Sequence, residues 1–164
     1  MPVSAHVIQY LNAKLTAAGP AALPYDERLK VSVRDQLLAV VERYPSLSVR
    51  DDPFTHNDGR TTHLLRTEGT IPIFYQGIKY NIPLKMFLPE GFPSHAPIVY
   101  VQPTASMIIK PGHRLVDGGG LVRVPYNDHW TYPRSTLSEL AQALSEAFGQ
   151  EPPLFARPAG HPAP

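Results

Sequence analysis

The sequence predicts an α+β domain, with helices towards both ends and a four-stranded antiparallel meander between them. Three observations predict it. Apolar residues recur at helical spacing at Val7, Tyr10, Leu11 and Leu15, at Leu29, Val33, Leu37, Val40, Val41 and Tyr44, and again at Leu137, Leu140, Ala141, Leu144 and Phe148. Over 47–100 the period changes to that of a sheet. Turn signals divide this middle at Asn57-Asp58-Gly59, at Tyr75-Gln76-Gly77-Ile78 and at Pro89-Glu90-Gly91.

The first helix follows Ser4, a residue type suited to an N-cap, and Gly19-Pro20 ends it. A Pro/Ala-rich link runs to Pro24. The second helix carries Asp26 and Glu27 in its first turn, where carboxylates complement the helix dipole, and Pro45 stops it. Strands over 70–74 and 79–88 flank the Tyr75 turn, and a short strand over 98–101 completes the meander. The segment 102–133 has no continuous periodicity and reads as irregular. A final helix spans 135–148, capped by Ser135 or Thr136, with Thr136 and Glu139 at capping-box spacing and Gly149 placed to end it. One domain is expected over 1–158, with a Pro-rich linker beginning at 159–164.

Composition excludes several classes. A chain of 164 residues supports one sizeable core. A formal net charge of +1 argues against broad attraction to nucleic acid or anionic membrane, and no apolar run is long enough to span a bilayer. The first residues lack the basic start and apolar run of a signal peptide. With no cysteine there is no disulfide framework, and an intracellular location is the default. The histidines show no close metal-ligand spacing, so neither a metal site nor a cofactor is expected. Asp128-His129 has no nucleophile that sequence places beside it. Asp117-Gly118-Gly119-Gly120 lacks the Gly-Lys-Ser/Thr ending of a phosphate loop and reads as a turn.

The middle of the chain resembles a ubiquitin-conjugating enzyme. Phe92-Pro93-Ser94-His95-Ala96-Pro97-Ile98-Val99-Tyr100 is similar to that family's Tyr-Pro-x-x-Pro-Pro-x-Val-x-Phe segment. Asp117-Gly118-Gly119-Gly120-Leu121-Val122-Arg123-Val124 is similar to the segment that normally ends Gly-x-Ile-Cys-Leu, and Arg123 falls in the cysteine slot. A guanidinium is always protonated and has no nucleophilic lone pair. Where the family has His-Pro-Asn this chain reads His113-Arg114-Leu115, and a leucine side chain donates no hydrogen bond to an oxyanion. The expectation is a fold without the enzyme's chemistry.

Further motifs narrow the resemblance. Phe54 with Asn57-Asp58-Gly59, Gly69-Thr70-Ile71-Pro72, Tyr80-Asn81-Ile82-Pro83, Pro103-Thr104, Ser106-Met107, Trp130 and the tail Pro152-Pro153-Leu154-Phe155-Ala156-Arg157-Pro158 are combined in one chain. Together they resemble the ubiquitin-conjugating enzyme variant (UEV) domain of the ESCRT-I sorting subunit, the tumour-susceptibility-protein family, over roughly residues 25–158. The resemblance implies a ubiquitin-conjugating-like fold lacking the two last helices of active enzymes. It also implies a non-catalytic adaptor for endosomal sorting in the multivesicular body pathway and for membrane budding. The protein would be cytoplasmic, recruited to endosomes, and joined to other ESCRT-I subunits through regions beyond this chain.

That family's domain has two ligands. One is a peptide of the Pro-Thr/Ser-Ala-Pro type, already extended in the polyproline conformation and suited to an aromatic-lined slot. The resemblance assigns it Thr70, Tyr75, Tyr80, Asn81, Thr104, Met107, Pro152, Leu154, Phe155 and Ala156. Ala156 stands where the family often has a serine, one polar contact fewer. The other ligand is ubiquitin, on its own or on cargo, assigned to Thr55, Asn57, Asp58 and Tyr100.

Each assignment has a plainer reading beside it. Asn57-Asp58-Gly59 is first a turn, and Tyr75 and Tyr80 suit any strand. Without the resemblance Phe155 reads first as an anchor of the tail to the core, and Trp130 reads as a core residue rather than a ligand contact. Pro103-Thr104-Ala105-Ser106 is a near-copy of the ligand motif and reads as groove wall. Three other functions compete: a non-catalytic partner subunit of an active conjugating enzyme, a structural domain of the related RWD type, and an unrecognised enzyme. The first is disfavoured because such variants lack the tail and the long Tyr75 hairpin.

Overall fold

In the computed structural model, which describes residues 5–157, the sheet-forming middle makes β1 (Ser48–Thr55), β2 (Thr61–Tyr75), β3 (Ile78–Phe87) and β4 (Ile98–Val101). These pair antiparallel in sequence order, as a meander does, and β4 has the bounds expected from sequence. Between β2 and β3 the turn residues Gln76 and Gly77 have φ of 52° and 79°. Two consecutive left-handed residues make the tight turn whose twist matches that of the flanking strands.

The stretch 102–133 is more ordered than its sequence suggests. β5 (Met107–Ile109) pairs with a strand after the last helix, β7 (Leu154–Ala156), as a separate two-stranded sheet. β6 (Leu121–Val122) adds a fifth strand beside β4. Strands of two or three residues carry no period to read, and their stability comes from the partner rather than from propensity. Asp117 forms the expected turn, its Oδ1 accepting from the N–H groups of Gly119 and Leu121 at 2.9 Å each.

The helices depart from expectation at their ends. α1 (Ala5–Thr16) buries Leu11 and Leu15 and stops short of Gly19, which opens a separate 3₁₀ turn. The cap expected at Ser4 lies outside the described residues. Asp26 does cap, accepting from the Arg28 N–H at 2.9 Å, but what it caps is a 3₁₀ turn. α2 (Lys30–Arg43) begins after it, burying Val33, Leu37, Val40 and Val41, with Tyr44 buried just beyond. Leu29 is only half-buried.

A short α3 (Pro125–Asp128) precedes the long C-terminal α4 (Leu137–Gln150). Thr136 Oγ1 accepts from the Glu139 N–H at 3.1 Å, which is one half of a capping box. Tyr126 replaces the other half: its hydroxyl donates to Glu139 Oε1 at 2.8 Å and accepts from the Thr136 N–H at 2.9 Å. Gly149 does not end α4, as its sequence position suggests, but lies inside the last turn.

One apolar core lies between helices and sheet, with Phe92, Phe148, Leu65 and Ile73 fully buried. Tyr25 bridges it to the sheet, donating its hydroxyl to the Leu88 carbonyl at 2.7 Å and accepting from the Leu65 N–H at 2.8 Å. Burial pushes this phenol far up, so it stays a donor.

Candidate functional site

Residues from three distant parts of the chain meet around one cavity of about 560 Å³. The β2–β3 hairpin contributes Ile73, Tyr75, Tyr80, Asn81 and Ile82; β5 and the residue before it contribute Met107 and Ser106; the segment after α4 contributes Pro152, Leu154, Phe155 and Ala156. Burial separates the roles of the lining residues. On β7, Leu154 is 7% exposed and anchors the strand in the core, whereas the neighbouring Phe155 is 43% exposed. The anchor role that sequence allows for Phe155 therefore belongs to Leu154. Tyr80 is 45% exposed and is likewise no core residue. Large rings left half in water at the rim of a concave apolar surface are the physical mark of a binding slot.

Backbone parity adds a polar edge. The Leu88 N–H donates to the Leu65 carbonyl, so the odd residues of β2 face β3 and its even residues point away. Asn81 stands opposite Pro72, so its own N–H and C=O point away from β2. β4 has ended by then, its Val101 lying opposite Leu84. In the β5–β7 sheet, Arg157 N–H donates to the Ser106 carbonyl and Lys110 N–H to the Pro153 carbonyl. By the same parity the backbone groups of Leu154 and Ala156 turn away from β5.

A polar knot holds the wall that carries Phe155. His113 is buried, and its Nδ1 accepts from the Leu115 N–H at 3.0 Å, which leaves Nε2 to donate to the Glu151 carbonyl at 2.7 Å. Lys110 Nζ donates to Glu151 Oε2 at 2.9 Å, and that hydrogen bond holds the carboxyl below its ordinary pKa. Neither Lys110 nor Glu151 carries a motif; their pairing exists only once β5 and β7 are side by side.

Two residues expected at the groove are elsewhere. Thr70 lies opposite Pro83 and donates its hydroxyl to Ser46 Oγ at 3.0 Å, beyond the cavity wall. Thr104 sits behind the rim, its Oγ1 3.0 Å from Ser106 Oγ, and lines a neighbouring concavity instead. Ser106 is the hydroxyl that does reach the cavity. Sequence reading missed Ile73 and Ile82 as wall, and placed Ser106 there with the rest of 103–106. The first two were within reach of it, because counting back from the Gln76-Gly77 turn pairs Ile73 with Tyr80 and Ile71 with Ile82.

On another face, Thr55 and Tyr100 line a shallow concavity of about 500 Å³ together with Pro53, Phe54, Phe87 and Gln102. Phe54 packs edge-on against Phe87 with centroids 5.0 Å apart, which stiffens the base of the β1–β2 hairpin. Asn57 and Asp58 are at that hairpin's tip, outside the concavity. Asp58 is engaged in its own turn, Oδ1 accepting from the Arg60 N–H at 2.9 Å.

The slot where the resembling enzymes keep their cysteine is equally defined. Arg123 is exposed, and its N–H donates to the Leu115 carbonyl at 2.8 Å, so the two replaced positions are neighbours. The Leu115 side chain packs on the core. Trp130 is structural: its ring packs edge-on with Tyr126 and tilted against Phe92, and Nε1 donates to the Pro93 carbonyl at 2.8 Å. Among the described residues no cluster of side chains suits a metal ion, and no helix is long and apolar enough to cross a membrane.

A family model described as UEV domain matches residues 21–156. Protein ELC of Arabidopsis thaliana is 46% identical over 151 residues, which cover 92% of this chain and 38% of that protein. The Tumor susceptibility gene 101 protein of Mus musculus is 42% identical over 123 residues, covering 75% of this chain and 31% of that protein. The chain thus spans about a third of the length of these relatives. The yeast vps23 UEV domain, solved in complex with a vps27 PSDP peptide, superposes with a TM-score of 0.73 at 21% identity over 99% of both chains. A Vps23 UEV solved with ubiquitin gives 0.67 at 23% identity, covering 87% of this chain and 93% of that one. At such identities these two structures establish the fold.

Proposed function

The chain belongs to the UEV domain family, and from that we propose that it is a non-catalytic adaptor that binds Pro-Thr/Ser-Ala-Pro peptides and ubiquitin in ESCRT-I-dependent sorting at endosomes. The observation that carries this reading is the cavity in which Tyr75, Tyr80 and the half-exposed Phe155 converge from separate parts of the chain. A polyproline ligand arrives preordered, so it loses little entropy on docking, and its rings stack on these side chains. The outward backbone groups of Asn81 and Ala156 offer its main chain hydrogen bonds on either side. Met107, unbranched and polarisable, shapes the floor.

Ubiquitin takes the separate face of Thr55 and Tyr100 with the hairpin tip of Asn57 and Asp58, so both ligands can be bound at once. Thr70 and Thr104 support the peptide groove from behind rather than touching ligand. The linker expected at 159–164 lies outside the described residues, and further partners of the adaptor are other ESCRT-I subunits. Conjugation is ruled out by Arg123 and Leu115, which supply neither a nucleophile nor an oxyanion donor.

Two-dimensional NMR titration with a Pro-Thr-Ala-Pro peptide and with ubiquitin tests the reading. The expected result is two separate sets of shifting amides, one around 73–82, 106–107 and 152–156, the other around 55–58 and 100. Saturation of neither set at millimolar ligand would refute it.

A further inference from the structure

We propose that Gly149 and Ser145 of α4 are positioning residues for the peptide groove, locking the free edge of the β2–β3 hairpin onto the same helix whose end delivers Phe155. The inference rests on the reading of that groove as the peptide site.

The argument starts from an open sheet edge. β1 begins only at Ser48, opposite Glu68, while β2 runs on to Tyr75. Even residues of β2 point away from β3, so the carbonyls of Thr70, Pro72 and Phe74 face a side from which the partner strand has gone. Bare carbonyls near a core need partners. Two of the three have hydroxyl partners, and the third abuts α4. Ser46 Oγ donates to the Thr70 carbonyl at 2.5 Å, and Ser145 Oγ donates to the Pro72 carbonyl at 2.5 Å. At Phe74 the helix itself closes in: a Cβ on Gly149 would stand 2.9 Å from the Phe74 carbonyl oxygen. Pro72 fits the same edge, because its missing N–H would have pointed there too.

Gly149 is otherwise out of place. It lies in the interior of the last α4 turn, where alanine is the better helix former. Close approach explains it. Six residues later the chain reaches Phe155, along a path held by the His113–Glu151 and Lys110–Glu151 hydrogen bonds. Both walls of the groove are therefore measured from one turn of one helix. A methyl group at Gly149 has to push the hairpin outward by several tenths of an ångström, carrying Tyr75 and Tyr80 away from Phe155.

The test compares wild type with Gly149→Ala, Ser145→Ala and Ser145→Thr by calorimetry, using a Pro-Thr-Ala-Pro peptide and ubiquitin as separate ligands. Gly149→Ala and Ser145→Ala are each expected to weaken peptide at least fivefold and leave ubiquitin affinity within twofold. Ser145→Thr, which keeps a hydroxyl, is expected to stay nearer wild type than Ser145→Ala. Peptide affinities within twofold of wild type in both alanine variants, or parallel loss of both ligands, would overturn the proposal. Amide spectra of the ligand-free proteins decide it independently. Shifts in Gly149→Ala reaching both 72–80 and 152–156 support positioning, and shifts confined to α4 sink it. Absence of peptide binding by wild type would instead refute the groove's assignment, leaving those free-protein spectra to judge the coupling.

Discussion

Truncating Phe155 to alanine separates binding from folding more cleanly than any other change at the groove. Leu154, not Phe155, is the residue of β7 that is buried, so the strand keeps its anchor when the ring is removed. The ring is 43% exposed in the free domain. For an aromatic side chain of about 200 Å², that leaves roughly 85 Å² for a ligand to cover. At about 25 cal/mol per Å², complete coverage contributes about 2 kcal/mol and half coverage about 1 kcal/mol. Phe155→Ala should therefore weaken a Pro-Thr-Ala-Pro peptide roughly 5- to 30-fold, with the melting temperature nearly unchanged. Calorimetry with peptide and with ubiquitin, alongside a thermal melt, measures all three quantities. A peptide affinity within a factor of two of wild type would refute the claim that the exposed ring is ligand-facing. A matching loss of ubiquitin binding would show that the ring supports the whole fold instead.

The remaining expectations concern other parts of the molecule. Tyr75→Ala should nearly abolish peptide binding while ubiquitin binding persists, and Ala156→Ser should strengthen peptide binding by about 0.5–1.5 kcal/mol through one added hydrogen bond; calorimetry on the pair checks both. Incubation with activating enzyme, ATP and ubiquitin should give no thiol-sensitive adduct on the wild type or on Arg123→Cys, because Leu115 still offers no oxyanion donor; a reductant-labile band on either variant contradicts this. Asn57→Ala and Tyr100→Ala should each weaken ubiquitin, whose affinity should be no tighter than about micromolar; an unaltered titration in both would mean the face is misplaced. The last concerns acid. Burial alone would raise the Asp51 pKa, but hydrogen bonds from Tyr10 at 2.5 Å and from Lys14, 3.2 Å away, outweigh it and hold the carboxyl below its ordinary value. A lowered folded pKa stabilises above the unfolded value of about 3.9 and ceases to do so as pH falls through the folded one. The melting-temperature advantage of wild type over Asp51→Asn should shrink from pH 5 towards pH 3, and a gap independent of pH would show that α1 is not held to β1 by this charge.

Much of the hairpin that lines the cavity was legible because its signals are local. Tyr75-Gln76-Gly77 announces a tight turn through the one residue type free to take left-handed backbone, and the register of β2 against β3 follows by counting outward. The bounds of β4 and the Thr136 cap could be read in the same way, since each depends on neighbours within a few positions. The expected loss of chemistry rests on sequence alone: an arginine aligned with the enzymes' cysteine has no nucleophilic lone pair.

What sequence could not show lies wherever an energy term couples distant residues. β5 and β7 are three residues each and exist only because 107–109 and 154–156 complete one another's hydrogen bonds. Thr70 is expected at the groove, yet its hydroxyl is bonded to Ser46 across an open edge, outside the residues that line the cavity. Gly149 looks like a helix stop and is instead a point of contact, because the Phe74 carbonyl occupies the space a side chain would need. Local backbone preference is written in short strings of residues. Packing distances and backbone partners across dozens of positions are not, and they decide which of several plausible residues line the cavity.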